Sequence, residues 1–125
     1  MSDACPFCNL PRERIIFESE WFCVIRDGFP VTELHTLIIP RRHVPSFFDL
    51  NDIELSTLPE VIHSQRTGIL EQDQSVTGFN IGINDGQDAG QTIFHCHIHL
   101  IPRRKEDTPN PRGGVRGVIP NRQTY

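Results

Sequence analysis

Through Pro40, apolar residues fall into short runs separated by turn-forming residues. Ile15-Ile16-Phe17 and Trp21-Phe22-Cys23-Val24-Ile25 read as two short strands joined by Glu18-Ser19-Glu20 in a hairpin. Gly28, Pro30 and Thr32 mark a loop, and His35 to Pro40 is a third strand stopped by its proline. The period then lengthens. Leu58, Val61, Ile62, Gln65 and Ile69 share one stripe of a helix predicted from Asn51 to about Asp73. Asn51 with Glu54 three residues later forms a capping box at its start. Pro59 lacks an amide donor, so the helix is expected to kink or restart there, with Thr57, Pro59 and Glu60 as a second N-terminus. Thr77 to Ile83 alternates as a strand with Phe79, Ile81 and Ile83 on one face. Gly86, Ala89 and Gly90 then turn the chain into a last strand, Gln91 to Pro102. This order predicts an α+β fold, an antiparallel sheet of about five strands with one long helix. All 125 residues fit a single domain with a real core. Residues 103–125 are expected to be an extended basic tail, since Asn110 to Tyr125 carries two prolines and three glycines.

The last strand carries the chemistry. His95, His97 and His99 occupy alternate positions, so in a strand they share one face, about 6–7 Å apart. Cys96, Ile98 and Leu100 take the other face and enter the core. A row of imidazoles offers a nucleophile, a proton carrier and a metal ligand.

Charge narrows the partners. The net charge is −4, yet residues 103–125 carry six basic residues (Arg103, Arg104, Lys105, Arg112, Arg116 and Arg122) against Glu106 and Asp107. That segment is +4 and the preceding 102 residues are −8. A basic segment beside a histidine row suits a phosphorylated small molecule, and the acidic remainder argues against nucleic acid. No apolar run approaches the ~18 residues of a membrane helix, and no secretion-type segment opens the chain. The expected compartment is the cytoplasm, where thiols stay reduced.

Cys5 and Cys8 have the spacing of a zinc knuckle. A redox motif or a disulfide is the alternative. Two cysteines do not close a tetrahedral site, so two further ligands must come from elsewhere, with histidine the expected type. His35, His43, His63, His95, His97 and His99 are the candidates, His63 being the one that reads as an ordinary helical residue.

Several of these segments together resemble the histidine triad (HIT) family. His95-Cys96-His97-Ile98-His99-Leu100-Ile101 is similar to its signature, His-φ-His-φ-His-φ-φ with φ apolar. Cys96 departs from that pattern, harmlessly where it only packs. Asn84, Gly86 and Gly90-Gln91-Thr92 resemble the family's lead-in to the triad. His35-Thr36-Leu37-Ile38-Ile39-Pro40-Arg41-Arg42-His43 is similar to its His-x-Leu-φ-φ-Pro-Lys-x-His segment. Asp27 sits where the family places an acidic residue for ribose.

The Cys-x-x-Cys start resembles the zinc-carrying bacterial branch. That resemblance implies a structural zinc on Cys5, Cys8, His43 and His95, within an N-terminal knuckle at residues 1–13. It implies hydrolysis at a nucleotide α-phosphate through a nucleotidyl-histidine on His97, assisted by His99 and oriented by His35. Asp27, Asn84, Gln91 and Thr92 would bind substrate, as would Arg103 and Arg104, whose segment resembles the polyphosphate-cleaving branch. The expected substrate is a diadenosine polyphosphate. A nucleoside phosphoramidate is the first alternative, and a non-catalytic nucleotide sensor or adaptor the second. The resemblance also implies a homodimer.

Overall fold

The computed structural model describes residues 4–125. Residues 1–3 of the expected 1–13 knuckle lie outside the described residues. Five strands form one sheet: β1 (Ile15–Glu18), β2 (Phe22–Arg26), β3 (Thr36–Pro40), β4 (Val76–Gly82) and β5 (Ile98–Arg104). The spatial order is β1-β2-β3-β5-β4, every pair antiparallel. Among the described residues one α-helix is present, α1 (Asp52–Gln72), which connects β3 to β4. The histidine strand β5 therefore lies between β3 and β4, with Leu37 opposite His99 on one side and Gly82 opposite it on the other. A strand paired on both edges holds its side chains in fixed register, and of the three alternating histidines His99 is the one inside it.

Alternation separates two faces. On the helix face, Phe22, Val24, Ile38 and Ile98 meet Leu58 and Val61 of α1, and Ile69 packs with Val76 and Leu100. On the other face, Ile25, Leu37 and Ile39 are covered by Cys5 and Phe7 of the N-terminal segment. That second face carries His99. No helix among the described residues is long and apolar enough to cross a membrane.

Three elements differ from the sequence expectation. The last strand begins at Ile98 rather than Gln91. The preceding stretch is fastened sideways, with the Cys96 N–H donating to the Val44 carbonyl at 2.7 Å, yet Cys96, Ile98 and Leu100 still enter the core. The helix runs through Pro59 as one element. Pro59 and Leu55, whose carbonyl would have paired with the missing donor, both lie on the solvent face, where water can satisfy the lone pairs. The Thr57 hydroxyl donates back to the Ile53 carbonyl at 2.7 Å and starts no second helix. Finally, the tail is not extended. It coils into two 3-10 turns, Gly114–Val118 and Pro120–Arg122. Gly113 makes this possible: its φ is 93°, and a Cβ there would overlap the Gln123 carbonyl.

The capping box is formed. Asn51 Oδ1 accepts from the Glu54 N–H at 2.9 Å, and Glu54 Oε1 accepts from the Asn51 N–H at 2.8 Å. Glu54 is buried and also takes a 2.8 Å hydrogen bond from Arg42, so the helix start is tied to the residue beside His43. Burial pushes the Glu54 carboxyl up, but Arg42 and the Asn51 N–H outweigh it and hold it below its ordinary value. Asn51→Ala should cost about 1 kcal/mol, measured as a shift in urea unfolding, while Asn51→Asp should be nearly neutral. Equal losses in both variants would deny the cap this role.

Candidate functional site

Five histidines meet at the N-terminal end of β5, and their hydrogen bonds sort them into two groups. His95 donates from Nε2 to the Pro40 carbonyl at 2.7 Å, which leaves Nδ1 with a lone pair. That nitrogen lies 3.2 Å from His43 Nδ1, 3.5 Å from Cys5 Sγ and 3.6 Å from Cys8 Sγ. Cys8 Sγ is 3.1 Å from His43 Nδ1. A tetrahedral ion with Zn–N and Zn–S bonds of ordinary length would place its ligands about 3.3 Å (N to N) and about 3.6 Å (N to S) apart. The observed spacings fit such a site, and all four ligand atoms lie within 4.8 Å of one another. The N-terminal segment and β3 thus converge on the residue that opens the triad.

The second group is a chain of proton donors and acceptors. The Val31 N–H donates to His35 Nδ1 at 3.0 Å, so the His35 proton sits on Nε2. That N–H points to His99 Nδ1 at 2.9 Å, with Asp27 Oδ2 at 3.5 Å beside it. His99 must then carry its own proton on Nε2, a buried atom with no hydrogen-bond partner among the described residues. Asp27, His35 and His99 lie close enough to suggest a second metal site. The Val31 hydrogen bond argues otherwise, because a metal on His35 Nε2 would displace the proton that this bond places there.

His97 stands between the groups. Its Nδ1–H donates to the His95 carbonyl at 2.8 Å, so Nε2 keeps a free lone pair. Its ring lies 5.2 Å from that of His99 and 5.0 Å from Phe7, whose edge meets it at 78°. Phe7 lies between the two cysteines, a neighbour of the triad that sequence reading missed and that only a folded-back knuckle reveals. Asp85 was missed too. It accepts from Ser46 and from the Phe47 N–H, bracing the loop before the triad, whereas in the sequence it reads as an ordinary turn residue.

The remaining candidates fare unequally. Asp27 Oδ1 accepts from the Phe29 N–H at 2.8 Å. Asn84 is exposed on the rim of a cavity that includes His99, and its side-chain amide makes no hydrogen bond among the described residues. Thr92 is exposed. Gln91 is buried, and both ends of its amide are taken: Oε1 by the Gly86 N–H, Nε2 by the Pro45 and Ile93 carbonyls. It braces the loop and has no donor left for phosphate. Arg103 and Arg104 are both engaged within the fold. Arg103 donates twice to Asp107, at 2.8 and 2.7 Å, and once to Asn80. Arg104 is held by Asp73 and the Glu33 carbonyl. Both guanidiniums serve as internal ties, because carboxylates that looked like neighbours in sequence or strangers to it fold against them.

Burial pushes the His99 imidazole down to about 4, with His97 and His35 adding to the shift and Asp27 opposing it. His99 is therefore neutral near pH 7 and acts as a hydrogen-bond donor through Nε2. The unfolded chain titrates this histidine near ~6.5. Between that value and about 4 the unfolded state binds more protons, so folded stability falls as pH drops through this window and is fully present above it. Urea unfolding of wild type and His99→Gln should show the wild type losing more stability from pH 6.5 to 4. Parallel losses would mean that His99 is not the group responsible.

Residues 11–106 match the HIT domain family. Over 78 residues the chain is 44% identical to the asymmetrical bis(5'-nucleosyl)-tetraphosphatase of Schizosaccharomyces pombe, covering 62% of this chain and 42% of that protein. Over 99 residues it is 38% identical to the nitrilase and fragile histidine triad fusion protein NitFhit of Caenorhabditis elegans, covering 79% of this chain and 22% of that one. The chain thus spans less than half the length of either relative. A crystal structure of a zinc-bound histidine triad family protein from Mycobacterium smegmatis superposes with a TM-score of 0.75 at 36% identity, covering 86% of this chain and 80% of that one.

Proposed function

The chain belongs to the histidine triad (HIT) domain family, and from that premise we propose that it hydrolyses nucleotides at the α-phosphorus, with diadenosine polyphosphates as the favoured substrates. The observation that carries this reading is the pairing of a free lone pair on His97 Nε2 with an unpartnered N–H on His99 Nε2, their rings 5.2 Å apart. His97 Nε2 attacks the α-phosphorus, forming a nitrogen–phosphorus bond as the bond to the leaving oxygen breaks. The ring becomes cationic, and its Nδ1–H already points at the His95 carbonyl, which stabilises that charge. His99 Nε2–H offers its hydrogen bond to the departing oxygen. Water then attacks the phosphorus as the nitrogen–phosphorus bond breaks, releasing the nucleotide monophosphate, passing one proton to solvent and restoring the neutral imidazole. Asp27 retains lone pairs for ribose hydroxyls.

The protonation state of His99 favours the polyphosphate over the phosphoramidate. A polyphosphate, with its last ionisation near ~6, departs as an oxyanion and needs only a hydrogen bond. An amine leaving group needs a whole proton, which a neutral imidazole does not release. The engaged guanidiniums of Arg103 and Arg104 count the other way, since neither stands free for a polyphosphate. Parallel kinetics on diadenosine tetraphosphate and an adenosine phosphoramidate decide between them. Equal or better turnover of the phosphoramidate would reverse the assignment. Binding without turnover of either would leave the sensor or adaptor reading.

Cys5, Cys8, His43 and His95 would hold the zinc, through two sulfurs and two Nδ1 atoms. Such a closed set leaves no open coordination position, so the ion would supply a cross-link between the N-terminus and the triad. The homodimer expected from the resemblance belongs to this same reading.

A further inference from the structure

The loop that sets the His35 tautomer is built on a strained turn. The His35 N–H donates to the Thr32 carbonyl at 3.1 Å, and Leu34, third residue of that turn, has a φ of 72°. Among the described non-glycine residues only Leu34 and Glu106 have positive φ, so Glu33 lies on the ordinary side and the turn has the type II form. That form calls for glycine or asparagine at its third position. A leucine keeps the conformation only where its surroundings over-determine it.

The type I alternative would relieve Leu34. It differs by a flip of the Glu33–Leu34 peptide, and so by the direction of the Glu33 carbonyl. That carbonyl is the group Arg104 grips, its Nη2 donating at 3.0 Å. The guanidinium is itself anchored at 2.9 and 3.2 Å on Asp73, the C-cap of α1. Leu34 packs beside Ile69, Val76 and Leu100, and the Thr32 hydroxyl donates to the Pro102 carbonyl at 2.6 Å.

Arg104 acts from a distance. It alternates with Leu100 and Pro102 onto the helix face and does not line the cavity that His35 and His99 share. The turn carries its hold to the other face, where the Val31 N–H meets His35 Nδ1 at 3.0 Å. With that bond the His35 proton sits on Nε2, facing His99 Nδ1. Without it the proton can move to His35 Nδ1. His99 would then protonate Nδ1 and lose the Nε2–H that the leaving oxygen needs.

We propose that Arg104 is a positioning residue: by holding the Glu33 carbonyl it fixes the turn that keeps the Val31 N–H on His35, and with it the proton on His99 Nε2. The consequence for rate rests on the α-phosphate hydrolase reading. The consequence for the tautomers does not.

Nitrogen-15 spectra of the histidine rings distinguish a protonated ring nitrogen from a bare one. Wild type should show bare Nδ1 and protonated Nε2 at both His35 and His99. In Arg104→Gln, His35 should divide between tautomers, the shift being partial because Asp27 Oδ2 at 3.5 Å favours the original one. Its kcat on diadenosine tetraphosphate should fall about 10-fold with KM within about 2-fold. Leu34→Gly supplies the rescue, since glycine takes the positive φ without strain. Arg104→Gln/Leu34→Gly should regain the single tautomer and a kcat within about 3-fold of Leu34→Gly alone. Loss of stability alone would give no such rescue. Unchanged tautomers in folded Arg104→Gln would overturn the proposal. So would a raised KM with kcat intact, which would make Arg104 a substrate contact. Should Arg104→Gln not fold, Asp73→Asn should shift the tautomers less and in the same direction, and no shift there would overturn the proposal too. If wild type turns over no nucleotide, the hydrolase reading fails separately and the tautomers alone judge Arg104.

Discussion

His97→Ala should abolish turnover, lowering kcat by about four orders of magnitude or more, while the protein stays folded. The expectation follows from how the ring is held. His97 Nδ1–H is anchored on the His95 carbonyl, which makes Nε2 the reactive nitrogen and fixes its direction. Under the proposed mechanism alanine removes the atom that would form the covalent bond, and the neighbouring histidines are turned to other partners. His99 Nε2 carries a proton, and His95 is turned away with its Nε2 on the Pro40 carbonyl. The stability cost should be near that of one hydrogen bond, about 1 kcal/mol, because His97 is only half-buried. Mass spectrometry of wild type quenched during turnover should find a nucleotidyl adduct that the variant lacks. Activity within about 10-fold of wild type would show that another group is the nucleophile. An adduct on a different residue would show the same.

The parts of this molecule that were legible in the sequence depend on local rules. Strand alternation, the Asn51–Glu54 box and the stripe from Leu58 to Ile69 each report on residues near one another in the chain. All three appear in the structure. Pro59 misled because its cost depends on where the orphaned carbonyl faces, which is a property of the packed helix. The tail misled because glycine and proline signal departure from regular structure without saying which way the chain turns. Gly113 acquires meaning only when Gln123 comes back against it. The same limit applies to the site. Residue type marks Gln91, Arg103 and Arg104 as donors, but whether a donor is free depends on partners such as Pro45, Asp107 and Asp73. The tautomers of the histidines, which decide between nucleophile, donor and ligand, are set by the Val31 N–H and by the Pro40 and His95 carbonyls. None of those contacts can be read from spacing.

The residue whose carbonyl accepts the hydrogen bond from His97 Nδ1–H, His95, is also one of the four candidate zinc ligands, and this sets the second large expectation. Protein purified without added metal should carry about one zinc per chain by elemental analysis, and Cys5→Ser/Cys8→Ser should carry almost none. Its unfolding free energy should fall by about 3 kcal/mol or more, since the ion binds the folded arrangement of four residues drawn from distant parts of the chain. Turnover should fall as well, although neither cysteine touches substrate. The knuckle holds Phe7 edge-on against His97, and His95 offers its carbonyl to the same ring. Releasing the knuckle loosens both supports of the nucleophile. Phe7→Ala separates this from loss of the fold: it should keep the zinc, lower kcat and leave KM nearly unchanged. Full zinc in the double cysteine variant would rule out this ligand set. A Phe7→Ala enzyme with wild-type kcat would show that the metal centre supports the fold without reaching the nucleophile.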